Sequence, residues 1–406
     1  MGRVISRGRM MPGAAVSPWR VVATTEMAIA APHLRVCETL GVSTVFQSGE
    51  WLEGWYAAVR GTDVAPLFVL ACDETGIPAM ALPLIVAQEE GRRVIRFADL
   101  GVSDYNAPLL GPSAPRTPAA MATLWGAIRR ALPPADLVLL EKLPQRIAEE
   151  VNPLLWLGTG LSAQTQSACH LAEPWALARL RLLPQDFRES LDSRRAKLAR
   201  KAKVAFRLVE TPEEVETVFA ALLAQKAERC AAMGWRNLLD NERWQTLYKQ
   251  LAMQGLRGGL ARLMALFIDG APAAAILGLE RDGRFCDVLA SFDAGRWKRH
   301  SLGLLALDEA MGLMAARGVT VYDLTIGAES YKDNFGPASE ALYEYVEAIT
   351  WRGMTPAMTM RAKWALRRNP RLAQFARQVA TSARLSPAAT NHLIQQSPIG
   401  VAAATL

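Results

Sequence analysis

Two stretches in the second half of this 406-residue chain bring together residue types that can do chemistry. In Arg296-Trp297-Lys298-Arg299-His300-Ser301-Leu302-Gly303, cations precede a serine and a glycine at the start of a helical pattern. The unpaired N–H groups and positive dipole end of such a helix start suit an anion such as a pyrophosphate. Ser301 is expected to cap the helix, Leu302 and Gly303 to offer backbone N–H groups at close approach, and Lys298 and Arg299 to add charge. The second stretch holds Asp323, Glu329 and the run Tyr331-Lys332-Asp333-Asn334-Phe335-Gly336. Attack of an amine or hydroxyl on an activated carbonyl needs a base and a group that stabilises the oxyanion. Asp323 or Glu329 fits the first role, with His300 as a third candidate. Lys332 fits the second role or binds a substrate anion, and Tyr331 and Phe335 are expected to touch substrate. In the first half, Asp104-Tyr105-Asn106 sets an acid, a phenol and an amide in one loop ahead of Pro108. That loop reads as an acceptor-binding lip, or else as a turn closed by Asx hydrogen bonds. No GxSxG or GxxxxGK[ST] pattern competes, and the histidines (His33, His170, His300, His392) are scattered.

The elements that must position these residues follow from periodicity. Leu260 to Ile268, Ala271 to Glu280 and Phe285 to Phe292 are apolar runs separated by Asp269-Gly270 and Asp282-Gly283, which predicts an antiparallel three-strand meander. Leu304, Leu307, Met311 and Met314 predict a helix from Leu302 to Arg317 with Gly318 as its C-cap, followed by a strand from Thr320 to Ile326. The first half repeats the order β-β-β-α-β in Leu67 to Asp73, Ile77 to Ala87, Arg92 to Leu100, Ala119 to Leu132 and Asp136 to Glu141. Two copies of one α+β unit are the expected architecture. Pro174 to Pro184 reads as the linker and Phe187 to Arg207 as a basic helix. The chain end reads as two short helices split by Asn369-Pro370, with Leu372, Phe375, Ala376 and Val379 on one face of the second.

Composition bounds the possibilities. With 51% hydrophobic residues, the chain can bury a core for two to three domains. The five cysteines are far apart and form no CxxC, which points to a reducing compartment and no structural zinc or other metal. Val151 to Ala172 is uncharged, but proline, glycines and polar residues interrupt it, so no membrane span is expected. Residues 1–34 carry arginines without a signal-peptide core and read as a flexible leader. The net charge of +7 is uneven: no acid follows Glu347, whereas Arg352, Arg361, Lys363, Arg367 and further arginines do. A near-neutral body and a basic tail result.

Taken in order, these motifs resemble the CelD/BcsL-type acyltransferases associated with cellulose and exopolysaccharide biosynthesis, a branch of the GNAT superfamily akin to the FemABX peptidyltransferases. The resemblance spans roughly Phe46 to Tyr345. It rests on Phe46-Gln47-Ser48 with Trp51 and Trp55, Gly101 to Leu109, the basic stretch Ser193 to Lys203, Ser301-Leu302-Gly303, Tyr322-Asp323-Leu324 with Gly327, and Tyr331 to Gly336. It implies a tandem GNAT-like fold whose C-terminal copy keeps the acyl-donor site, with acetyl-CoA or another acyl-CoA as co-substrate. Leu302 departs from the proline usual in the family at that position. The expected division is a leader to residue 34, a degenerate GNAT-like domain over 35–175, a catalytic one over 176–350 and a basic amphipathic helical tail over 351–406. The expected activity is N- or O-acylation of a sugar, exopolysaccharide or cell-envelope precursor by a cytoplasmic enzyme, with peripheral contact to anionic membrane through the tail as a further expectation. Two alternatives stand beside it: aminoacyl transfer from a charged tRNA, the one reading that involves nucleic acid, and a non-catalytic scaffold at the membrane surface.

Overall fold

The computed structural model describes residues 18–171, 173–327 and 329–369. The first half runs through strand β1 (Trp19–Thr24), helices α1 (Met27–Leu40) and α2 (Gly49–Ala58), and strands β2 (Ala65–Asp73), β3 (Pro78–Glu89), β4 (Arg92–Phe97) and the short β5 (Leu109–Leu110). Helix α3 (Pro118–Ala131), strand β6 (Leu137–Leu143), the small hairpin β7 (Arg146–Ile147) and β8 (Glu150–Val151), and the long strand β9 (Gly160–His170) complete it. The second half opens with helices α4 (Trp175–Leu182) and α5 (Gln185–Ala199), strand β10 (Val204–Leu208), and helices α6 (Pro212–Met233) and α7 (Glu242–Gly255). It continues with β11 (Ala261–Ile268), β12 (Ala271–Arg281), β13 (Arg284–Phe292), α8 (Leu302–Ala316), β14 (Val321–Ile326), β15 (Ala338–Ala348) and α9 (Trp351–Arg368). Setting aside β5, the β7–β8 hairpin, α4, α5 and α9, both halves read β-α-α-β-β-β-α-β-β. The repeat is longer than the sequence pattern indicates.

The hairpin turns form for the expected reason. Glu90 and Gly91 take φ of 48° and 74°, Asp269 and Gly270 take 52° and 84°, and Asp282 and Gly283 take 49° and 74°. Two consecutive left-handed residues match the twist of the flanking strands.

All the long strands join one 13-stranded sheet in the order β1-β2-β3-β4-β6-β15-β9-β14-β13-β12-β11-β10, with β5 attached to β3. Its centre is exchanged between the halves. The first half's β9 pairs with β14, and the second half's β15 pairs with β6 and with β9. Each half therefore borrows the strand that completes its sheet. Alternation along the strands puts core on both faces of the sheet: Phe68 and Leu70 of β2 with Leu263 and Ala265 of β11 bury against one cluster that includes Trp51, Trp55, Trp244 and Tyr248. Leu67 and Val69 face a different cluster under α3, and Met264 and Leu266 face one under α8.

Several expected boundaries move. Residues 19–34, which the arginines of the sequence place in a leader, form β1 and the first part of α1. Strand β1 pairs with β2 along its whole length, from Trp19↔Asp73 to Thr24↔Phe68. The expected linker contains helix α4. The basic stretch ends as a helix at Ala199, and residues 204–208 become edge strand β10. The first tail helix, α9, packs on its own sheet: Trp364 is buried and its indole N–H donates to Glu344 Oε2 at 2.8 Å. Arg367 donates to Leu161 O at 2.7 Å and Arg368 to Thr159 O at 3.0 Å. Gly160 is required here, because a Cβ would stand 1.9 Å from the Trp364 ring. The second expected tail helix lies outside the described residues. Among those described, no helix is long and apolar enough to cross a membrane.

Trp364→Ala should remove this dock and lower stability by about 3 kcal/mol, the low end of the range for a buried aromatic. For a chain this long that is a fall of several degrees in unfolding temperature, read by differential scanning calorimetry.

Candidate active site

Strands β13 and β14 run parallel but pair at only three positions, Arg284↔Val321, Phe285↔Tyr322 and Cys286↔Asp323. Beyond Cys286, β13 continues against β12 alone as far as Phe292. Two irregularities mark the parting: the β12–β13 register shifts between Gly278↔Asp287 and Leu277↔Leu289, and Thr325 on β14 has a left-handed φ of 60°. A bulge bends its strand. The result is a wedge between β13 and β14 whose β13 wall carries backbone groups with no strand partner. A linear amide-bearing ligand can take such groups up as a strand would.

The matching wedge of the first half is filled. Strands β4 and β6 pair only at Val94↔Leu137 and Ile95↔Val138, and residues 99–107 enter the opening. Asn106 N donates to Lys142 O at 3.1 Å, and its amide donates to Asp99 Oδ2 at 3.0 Å and to Glu141 O at 3.1 Å. Lys142 closes the plug through Asp99 at 2.9 Å and Ser103 O at 2.7 Å. Burial opposes the Asp99 charge, but Lys142 and Asn106 hold its carboxyl below the usual range.

One residue of this plug reaches the open wedge. Tyr105 O–H donates to Asp323 Oδ1 at 2.6 Å, Thr325 N donates to the same oxygen at 2.8 Å, and Arg284 Nη1 donates to Asp323 Oδ2 at 2.7 Å. Asp323 is fully buried at the last paired position of β14. Its oxygens bind the plug, β13 and the irregular end of β14 itself.

At the far end of β13 the chain enters α8. Leu304 N and Leu305 N both donate to Ser301 O, at 3.0 and 3.2 Å, whereas the N–H groups of Leu302 and Gly303 find no backbone acceptor among the described residues. Ser301 does not cap with its side chain. It holds a left-handed φ of 51°, and its Oγ accepts from Arg194 of α5. Arg194 is thereby fixed beside the helix start, with Lys298 and Arg299 exposed next to it. Gly303 has a packing reason as well, since a Cβ would lie 2.7 Å from the Phe292 ring. Two free N–H groups and three cations form a cradle suited to a pyrophosphate.

Inside the wedge lies a group of ionisable residues. Asp287 on β13 accepts from Tyr322 O–H at 3.1 Å, and burial pushes its carboxyl up to about 6, with Tyr322, Lys332 and Lys226 pulling the other way. Asp104 of the plug is raised further, to about 7, by burial and by nearby Asp323, against the pull of Lys142 and Lys332. The Lys332 ammonium is buried, donating to Ile326 O at 2.9 Å and pairing with Glu329 at 2.9 Å, so it staples the turn after β14. Burial, with Asp287 and Glu329 nearby, pushes the Tyr331 phenol well above its ordinary range. Among the described residues, no group of three His, Cys, Asp or Glu side chains is placed to hold a metal ion.

The expected site residues thus fall into different places. Asp104, Asp323, Glu329, Tyr331 and Lys332 meet at the wedge, and Lys298, Arg299, Ser301, Leu302 and Gly303 meet at the helix start. Tyr105 and Asn106 are buried with their donors used inside the protein; the Asx-type turn here is made by Asp99, ahead of that stretch, whose Oδ1 accepts from Gly101 N and Ser103 N at 2.9 and 3.1 Å. Phe335 points into the core against Phe187, 5.4 Å between ring centres. His300 is buried against Trp297. The basic stretch spends Arg194 on Ser301, Arg195 on Asp308 and Glu309, and Arg207 on Glu214. Asp287 and Lys226 were not singled out from sequence. An acid inside the apolar run Phe285 to Phe292 was the available signal for the first.

Residues 185–333 match the Acetyltransferase (GNAT) domain family. The match covers the wedge, the helix start and most of the turn that follows β14, so the second half is built as an acyltransferase. Among solved structures, the chain is similar to one described as FemX, with a TM-score of 0.55 and 11% identity over 80% of this chain and 97% of that one. A conserved protein of unknown function from Bacteroides thetaiotaomicron gives 0.49 and 12% over 82% and 100%. A tandem GNAT protein from the clavulanic acid biosynthesis pathway gives 0.43 and 14% over 81% and 98%. At these identities the likeness to FemX is one of fold, and the fold is GNAT-like. A search of curated proteins found no match.

Asp104 gives a stability test with a definite sign. Its carboxyl titrates near 7 in the folded chain against 3.8 ordinarily, so the folded state keeps a proton that the unfolded state releases. Stability from this group is present below pH 4 and is lost as pH rises toward 7. Asp104→Asn should therefore stabilise the protein at pH 7.5, on the order of 1 kcal/mol, and change little at pH 4, measured by urea denaturation at both pH values. Tyr105→Phe should destabilise by about 1–2 kcal/mol at both, through the lost bond to a charged acceptor.

Proposed function

We propose that the chain transfers an acyl group from a CoA thioester to an amine or hydroxyl, with a sugar, exopolysaccharide or cell-envelope precursor as the acceptor class. The observation that carries this reading is the pairing of an open strand wedge with a cationic, N–H-bearing helix start at the end of the same strand, β13. The cradle of Leu302 N, Gly303 N, Arg194, Lys298 and Arg299 fits the pyrophosphate of an acyl-CoA, and the bare β13 edge fits its amide-bearing arm. Bound there, the thioester supplies an activated carbonyl.

Asp287 is the base we assign. It lies on the wedge wall, it has one hydrogen-bond donor rather than several, and its carboxyl titrates near 6, close to the working range of a general base. The acceptor N–H or O–H gives its proton to Asp287 as the N–C or O–C bond forms. The C–S bond then breaks, and the thiolate leaves to be protonated from solvent. Asp323 acts on this account as a positioning residue, because its oxygens already bind Tyr105, Thr325 and Arg284. Lys332 and Glu329 hold the turn that closes the wedge. Tyr331, kept protonated, remains a donor for the oxyanion.

Contact with an anionic membrane finds support in α9. Trp351, Met354 and Met358 are exposed at helical spacing, at 78%, 54% and 65%, and Arg352 and Arg361 are exposed on the same helix. Apolar side chains flanked by arginine suit a lipid surface.

Acetyl-CoA should raise the unfolding temperature of the wild type in a thermal-shift assay; no stabilisation by acetyl-CoA or by longer acyl-CoAs would overturn the donor assignment. Asp287→Asn should lower kcat/KM by roughly 100-fold or more and remove the rise in rate that the wild type shows as pH climbs through about 6. A pH–rate profile unchanged by the substitution would pass the role to another carboxylate.

A further inference from the structure

The face of α6 turned to the sheet buries Val215, Val218, Phe219 and Leu222. Helical spacing carries the same face on to Gln225, Lys226 and Arg229, so it turns polar where it passes the unpaired end of β13. Gln225 is satisfied there, accepting from Ser291 Oγ at 2.8 Å and donating to Pro272 O at 3.2 Å. Arg229 lies 4.8 Å from the centre of the Phe292 ring and 5.9 Å from that of Trp235. Lys226 is half-buried, and no hydrogen bond or ion pair joins it to any described residue.

The charges around it do not balance. Glu329 is paired with Lys332, and Asp287 supplies at most one negative charge, whereas among the described residues Lys226 and Arg229 form no ion pair. Burial lowers the pKa of Lys226, with Arg229 adding to the effect and Asp287 and Glu329 opposing it. A half-buried cation without a counter-ion is costly, and an incoming anion relieves that cost.

We propose that Lys226 and Arg229 form a subsite for one anionic group, a carboxylate or a phosphate, carried by the acceptor and held beside Asp287. The proposal rests on the acyl-transfer reading and narrows its acceptor to a negatively charged amine or hydroxyl compound. Phe292 links the two sites: Arg229 stacks on its ring, and the same ring fills the space that Gly303 leaves open at the donor helix. The donor helix start and the acceptor subsite therefore meet at one aromatic ring.

Acetyl transfer from acetyl-CoA is to be measured on acceptor pairs that differ by one anion: glucosamine against glucosamine 6-phosphate, and alanine against alaninamide. The wild type should favour the charged member of a pair by about tenfold or more in kcat/KM, the scale of one charge-assisted contact. Lys226→Met, which keeps the apolar stem, should erase most of that preference through the acceptor KM, and Lys226→Arg should keep it. An equal preference in wild type and Lys226→Met overturns the subsite. Stabilisation by acetyl-CoA reports the donor site separately, so its absence in the wild type counts against the acyl-transfer reading and not against Lys226. A second readout needs no turnover: in the reductively ¹³C-methylated protein, inorganic phosphate or acetate should raise the titration midpoint of the Lys226 signal, which is assigned by its absence in Lys226→Met. A midpoint that neither anion moves overturns the proposal.

Discussion

A carboxylate with no exposure to water, Asp323, takes hydrogen bonds from Tyr105 of the first half, from Arg284 of β13 and from the backbone of Thr325. It does so at the last rung that joins β13 to β14. Removing any one donor would leave the buried charge short of a partner, so the three are constrained together. What depends on this is the angle at which the two strands part, and with it the wedge that faces Asp287. Asp323, one of the candidate bases in the sequence, has its oxygens occupied by these three donors and thereby ties the two strands together at the point where they part.

The two halves share one order of elements and have diverged in what occupies the wedge. In the first half, residues 99–107 fill it, pinned by Asp99, Asn106 and Lys142. In the second it is open and lies beside a cationic helix start. The plug does more than close one wedge, because Tyr105 extends from it to Asp323. Exchange of β9 and β15 across the centre of the sheet makes the dependence mutual, since neither half completes its sheet alone. The filled first half thus has a physical role in holding the second in shape.

Much of the fold was legible because its signals are local. Asp-Gly and Glu-Gly turns set the hairpins, and the 3.6 and 2 periodicities set α8 and the meander strands. Edge strands were harder: β1 and β10 are short, half-exposed and flanked by arginine or lysine, so their composition reads as leader or basic helix. Strand exchange left no local trace at all, because it depends on which distant strand β6 and β14 choose as partner. The site was legible in part. Lys298, Arg299 and Gly303 announce a helix start, whereas the burial that tunes Asp287 and isolates Lys226 arises only when α6, β13 and the plug come together.

The central claim is that one wedge of the two, the second, takes an acyl-CoA. Calorimetric titration of the full chain with acetyl-CoA tests it most directly. The account predicts a single binding event with one acetyl-CoA per chain. Two per chain, or none, would contradict it.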